Sequence, residues 1–389
     1  MWGSKLNSIE NMQPTQRLHD LLAIRSVNPM GQPFSGDQPV ERGVIEYIEC
    51  WFASLPVSLE RQLVSEAHEN LLIKVEGESS EPITLFECHM DTVPADDWLE
   101  TAFSPRQEGN RIIGRGACDD KGPLLAMLLA IEQSLQNGSR PAQPLWMLCA
   151  ADEEYGQTGI RHFMAGCDRQ IARAVVAEPT SNVPVVQHQG TIRWDIHVAG
   201  RSAHSATAEL GHNAIVDATK VIERLNRHQE DLRRRHQSPL INGPSLTVTT
   251  IHGGRTRNAV PDHCVMSLDF RVLPGMDPHQ ASAEVKQVVD GLGLETTHDD
   301  FQCFARPLST KIDDPFALRL LDVCRDAHQR PDLELAGVPY GSDASCLPEG
   351  VSTMVIGPGD ISHAHAIDEF VEMDAVLMCA EILGRVLPS

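Results

Sequence analysis

No apolar run in this 389-residue chain approaches the roughly 20 residues that a membrane-crossing helix needs, so no spanning segment is expected. The opening stretch MWGSKLNSIENMQPTQ also lacks the apolar core of a secretory signal, and a cytoplasmic location is the expectation. Positive charge is scarce: 32 Lys and Arg stand against 54 Asp and Glu, a formal net charge of -22. Such a surface repels nucleic acid and anionic membranes, and neither is expected as a partner. The ten cysteines form no CxxC pair and no compact framework, which fits reduced thiols better than disulfides. Repeats and low-complexity segments are absent too. What remains is ordinary globular composition, long enough for two domains and a large buried core. Part of the acidity has a second reading, because carboxylates that ligate a metal count as charge until an ion neutralises them.

The order of patterns suggests two kinds of structure. ITLFEC (83–88) reads as a buried strand and GPLLAMLLAIEQSLQNG (122–138) as a helix closed by Gly138. PLWMLCAA (144–151) and ARAVVAE (172–178) are further strand-like runs. Strands separated by helices predict an α/β fold with a mixed sheet covered by helices on both faces. From about Gln187 the texture changes. TIRWDIHVAG, PSLTVTTIHGG and HCVMSLDFRVLP alternate like half-exposed strands, with a polar helix over 213–235 and another in HQASAEVKQVVDGL. An antiparallel sheet with two helices on one face is the economical arrangement. VSTMVIGPG and a closing helix in FVEMDAVLMCAEILGRVL return to the first style. The expected division is therefore 1–187 with 301–389 as one domain, and 188–300 as an inserted α+β domain.

Acids and histidines gather where these strands end. CHMDTVP (88–94) places His89 and Asp91 just past one strand, and an imidazole that binds metal needs its other ring nitrogen held by such a neighbour. Taken alone, a surface His beside a helix-capping Asp is the better explanation of the pair. GRGACDDKGP (114–123) sets Asp119 and Asp120 before a helix, where one Asp is an ordinary cap. AADEEYGQTG (150–159) ends a strand in Asp152, Glu153 and Glu154, three acids that repel unless a cation is near. AEPT (177–180) supplies Glu178, and GPGDISHAHAIDEF (357–370) supplies His363 and His365. Open sheets of this class bind ligands beyond the carboxyl ends of their strands, so the clusters can share one crevice. Imidazole and carboxylate without an ordered cysteine set suit zinc best, with cobalt or manganese as substitutes. Cys88 and Cys118 adjoin these residues, but strand alternation points Cys88 away from His89.

Taken in order from about residue 12 to the C-terminus, these motifs resemble the zinc-dependent amidohydrolases. That family includes acetylornithine deacetylase, succinyl-diaminopimelate desuccinylase, aminoacylase and the glutamate carboxypeptidases. The resemblance implies two zinc ions: His89 and Glu178 on one, Glu154 and His365 on the other, and Asp119 bridging both. It implies Asp91 as the partner of His89 and Glu153 as general base. Within the inserted segment, GRSAHSA (200–206) resembles the motif whose histidine, here His204, reaches a neighbouring subunit's site to stabilise the oxyanion, which implies a homodimer. GGRTRNAVPD and LDFRVLPG match motifs with a substrate-contacting Asn and Arg, here Asn258 and Arg271. A core-satisfied His204 and an ion-paired Arg271 are the plainer readings of those residues alone. YGSDAS (340–345), with Ser342, resembles a substrate-lining loop.

Asp120 departs from the deacetylases, which often carry Met there, and matches the dipeptidase branch. The implied activity is hydrolysis of an N-acyl-L-amino acid, as by acetylornithine deacetylase, with a place in arginine biosynthesis. A metallo-dipeptidase or carboxypeptidase stays open, as does a metal-free binding relative.

Overall fold

The computed structural model describes residues 12–80, 82–96, 98–138 and 141–387. The chain divides into two compact units. One comprises residues 1–186, 310–336 and 342–389; the other comprises 187–309 and 337–341.

The first unit is built on a mixed sheet whose centre is apolar on both faces. Every residue of the strands Ile83–His89 and Leu145–Ala150 is buried. Full burial of such runs is what neighbours on both sheet faces demand, and each buried Leu or Phe contributes about 1.5–3 kcal/mol. Six neighbouring strands of this nine-stranded sheet are, in spatial order, Ser58–Leu63, Glu69–Val75, Leu145–Ala150, Ile83–His89, Ile171–Val176 and Ser352–Val355. The first two joints are antiparallel, and the last four strands run parallel. Their carboxyl ends therefore emerge on one edge. The helix Lys121–Gln136 is buried from Lys121 through Glu132, so it presents no polar stripe. Such a helix belongs in a core. It packs against Met373–Val386 and Pro14–Ala23.

The second unit is an antiparallel sheet ordered Ser245–Gly253, His263–Val272, Gly190–Ala199, Thr296–His298. Period-two alternation sends Ile192, Trp194, Ile196 and Val198 to one face with Cys264, Met266, Leu268 and Phe270. The helices Ala214–Arg235 and Pro278–Asp290 bury that face, through Ala214, Ala218, Val221, Leu225 and Leu232 of the first and Val285 and Val289 of the second. Spacings of three, four and seven residues keep such a stripe on one side of a helix. Asn213 caps the long helix by accepting from Ile215 and Val216 N–H, and Arg233, Arg234 and Arg235 sit at its negative end. Among the described residues no helix is long and apolar enough to cross a membrane.

Candidate metal centre

Most of the clustered acids and histidines of the first unit lie just beyond the ends of its parallel strands. His89 closes one strand and Asp91 follows it; Glu153 and Glu154 follow Ala150; Glu178 follows Val176; His365 lies in the loop after Val355. Asp119 comes from the turn that opens the buried helix. That turn is clamped from afar by Glu369, a buried carboxylate. One of its oxygens accepts from Cys118 and Asp119 N–H at 2.8 and 2.9 Å, the other from Gly116 N–H and Arg115.

Two groups of ligand atoms converge. One atom each from His89, Asp119 and Glu178 lie within 4.8 Å of one another, and so do atoms of Asp119, Glu154 and His365. Asp119 belongs to both. Its Oδ1 is 3.0 Å from His89 Nε2, and its Oδ2 is 3.3 Å from His365 Nε2. His365 Nε2 is also 3.1 Å from Glu154 Oε2, while the other oxygen of Glu154 accepts from Val93 N–H. His89 Nδ1 faces the backbone carbonyl of Asp91 at 3.0 Å and its Oδ1 at 3.5 Å. A carbonyl only accepts, so Nδ1 carries a proton, and Nε2, once it gives up its own, is the nitrogen that faces a cation. Asp91 also accepts from the backbone N–H groups of Glu153 and Glu154, at 3.2 and 3.3 Å. No described residue hydrogen-bonds the Glu153 carboxylate.

The electrostatics fit positive charge at this place. Burial raises the Glu178 carboxyl, and Asp119, Glu153 and Asp120 push it further. Burial likewise raises Glu153; His89 works against this, and Asp343, Glu154 and Asp119 add to it. Asp119 moves the other way: burial pushes it up, but hydrogen bonds to His365 and His89 outweigh that and hold it low. Carboxylates crowded this densely in a buried space need cations. Two imidazoles, two private acids and one shared acid fit a pair of divalent ions, each with an open position.

The same fields make metal uptake pH-dependent. Hydrogen bonds to Asp119 and Glu154 raise His365 to about 10, so without an ion it is protonated at neutral pH. An incoming ion must expel that proton, and affinity should climb as pH rises. Zinc titration in weak buffer is expected to release protons. Binding with no release contradicts this.

The other sequence-singled residues are placed as follows. Cys88 donates its thiol to Asp120 Oδ2 at 2.8 Å and belongs to neither ligand group. Asp120 is fully buried, and its Oδ1 has no partner. The His363 ring lies against Phe370 at 4.2 Å. Ser342 is 1% exposed and accepts from Ala344 N–H, capping a short turn. In the second unit, His204 and Asn258 are exposed on adjoining segments joined by Ser205 N–H donating to Asn258 O. His204 Nδ1 accepts from Ala206 N–H at 3.1 Å. Arg271 donates to Asp269 at 2.7 Å, and Arg193 shares that carboxylate.

The sequence reading passed over Asn28, Glu369 and the buried acids Glu87 and Asp343. Glu369 is adjacent to Asp368 in the AIDEF segment, and that acid pair was its only local signal. Asp343 is 1% exposed, and its carboxyl is paired with that of the buried Glu87, whose raised proton affinity lets it donate.

Comparison with known proteins identifies the family. Residues 85–389 match the model of peptidase family M20/M25/M40. Acetylornithine deacetylase of Vibrio cholerae is 30% identical over 356 residues, covering 88% of this chain and 90% of that protein. An M20 family metallo-carboxypeptidase of Sulfolobus solfataricus superposes with a TM-score of 0.78 at 18% identity, over 97% of this chain and 99% of that one. A dinuclear metal-binding M20 peptidase of Bacillus subtilis gives 0.68 at 14% identity, over 96% of each. With its parallel strand ends, its two ligand groups and a family match over most of its length, the chain belongs to peptidase family M20/M25/M40 and is an amidohydrolase.

Proposed function

We propose that the protein hydrolyses the amide bond of an N-acyl-L-amino acid at a two-zinc centre, as an acetylornithine deacetylase does. The observation that carries the proposal is Asp119, whose two oxygens each face a different histidine. His89 and Glu178 would hold one ion, Glu154 and His365 the other, with Asp119 shared; cobalt or manganese are substitutes. When bound, the ions supply polarisation of the scissile carbonyl and a lowered water pKa. Glu153 takes the proton of the attacking water and returns it to the leaving amine. Asp91 keeps His89 oriented and, through two backbone N–H groups, keeps Glu153 beside it. Asn258, Arg271 and the loop capped by Ser342 bind the substrate, the guanidinium suiting its carboxylate.

His204 stabilises the oxyanion of a neighbouring subunit's site in a homodimer. The outer strand Ser245–Gly253 supports that assembly: it stands at the edge of its sheet, with Ile251 45% exposed, and an unpaired edge invites a second chain. The described cysteines are all unpaired, which supports a reducing, cytoplasmic setting. A role in arginine biosynthesis follows if ornithine is the product.

The second reading, a dipeptidase or carboxypeptidase, is favoured by the buried Asp120 and by the likeness to peptidases. Zinc-loaded protein assayed on N-acetylornithine, other N-acyl amino acids and dipeptides separates the two. The highest kcat/KM is expected on an N-acyl amino acid. Cleavage confined to dipeptides would move the assignment to the second reading.

A further inference from the structure

Asn28 lies in SVNPM, far in sequence from every ligand, yet it touches both supports of the centre. It is 1% exposed and its side chain is fully engaged. Oδ1 accepts from Met30 N–H at 2.7 Å, which fixes the direction of the amide. Nδ2 then donates to Asp91 Oδ2 at 2.8 Å and to Asp152 Oδ1 at 2.8 Å. An amide nitrogen has two hydrogens, and both are used.

The backbone around it is held just as firmly. Asn28 N–H donates to Thr92 O, Thr92 N–H to Ser26 O, and Ser26 Oγ to Met90 O at 2.7 Å. Residues 26–28 are thereby fastened alongside residues 90–92, the stretch that carries Asp91. Asp152 in turn anchors the start of the Glu153–Glu154 turn. Its carbonyl accepts from Gly156 and Gln157 N–H, and its Oδ2 accepts from Thr158 Oγ1 at 2.6 Å. One neutral nitrogen thus sits between two buried carboxylates, one orienting His89 and the other rooting the turn of Glu153. Without it, the two anions would face each other with only the more distant His68, 3.5 Å from Asp152 Oδ1, to offset their repulsion, and the two elements would separate. A cationic residue would add charge that the neighbouring sites are built to receive from ions.

We infer that Asn28 is a positioning residue of the metal centre, tying the support of His89 to the turn that presents Glu153. The inference rests on the reading of His89 as a ligand and Glu153 as the base. It predicts a specific defect rather than a general loss of stability. Asn28→Leu removes both donors without adding charge, Asn28→Asp removes them with little change of shape, and Asn28→Ser restores one.

Each variant is prepared as the full-length metal-loaded enzyme and as its cobalt form. Removal of such supports typically costs about 10–100-fold in metal affinity or activity. In the Leu and Asp variants, kcat is expected to fall by about that factor with KM within about threefold. One of the two ions should yield to chelator at correspondingly lower concentration, and the visible cobalt spectrum should change. Asn28→Ser should fall between these variants and the wild type. Variants that fold less stably but keep the wild-type kcat, cobalt spectrum and chelator profile would overturn the inference. A wild type that binds two ions yet hydrolyses no acyl amino acid or peptide would remove the functional reading alone, because the cobalt and chelator measurements still judge Asn28. A wild type that takes up no metal would overturn both.

Discussion

Replacing Glu153 by alanine is expected to lower kcat by at least about 10²-fold while metal content stays at the wild-type level. The two neighbouring glutamates are committed differently. Glu154 has one oxygen on Val93 N–H and the other 3.1 Å from His365. Glu153 is held only through its backbone N–H on Asp91, and its carboxylate is free of described partners. Burial, opposed by His89 and reinforced by the nearby acids Asp343, Glu154 and Asp119, raises its affinity for a proton. A carboxylate that is unligated, fixed in place and more basic than usual suits the transfer of a proton from water to a leaving amine. Glu153→Asp keeps the charge but withdraws it by one methylene, and the same direction is expected. Metal analysis beside steady-state kinetics decides the matter. Substantial remaining turnover would remove Glu153 as the base, and loss of an ion would make it a ligand.

His204→Ala is expected to lower kcat by about 10²–10³-fold, the usual effect of losing one oxyanion donor, with metal content unchanged. His204 belongs to the second compact unit, whereas the two ligand groups belong to the first. Its side chain is exposed, with Nδ1 accepting from Ala206 N–H, which leaves Nε2 to carry a hydrogen outward. Two inactive chains test where that hydrogen acts. In a mixed dimer of Glu153→Ala and His204→Ala chains, one site combines an intact Glu153 with the partner's intact His204. Partial recovery of activity is therefore expected. Mixed dimers that form and stay inactive would show that His204 does not act across an interface.

The fold and the clusters of acids and histidines were legible because their signals are local. A strand such as ITLFEC announces its burial by its own apolar run, and the acids of DEEYG or CDDKG stand next to the run they end. The alternation that turned Cys88 away from His89 is equally local, and the Cys88 thiol indeed goes to Asp120. The strand Ser58–Leu63 was harder: it is polar and largely exposed at the sheet edge, so its sequence, SLERQL, carries no burial signal. Asn28 and the role of Glu369 were hard to read for another reason. Each is defined by partners far along the chain, Asp91 and Asp152 for one and the 116–119 turn for the other, and no spacing rule reaches that far. Asp343 sits in YGSDAS, a segment that did draw notice. Its burial against Glu87 is a product of packing, which the local sequence does not encode.

The most direct test of the two-ion centre is a zinc titration of the stripped protein, with amine release from an N-acyl amino acid followed at each step. Asp119 joins both ligand groups, so the account predicts uptake of two ions per chain and full activity only as the second is bound. Binding of at most one ion, or full hydrolysis by protein kept free of metal, would contradict it.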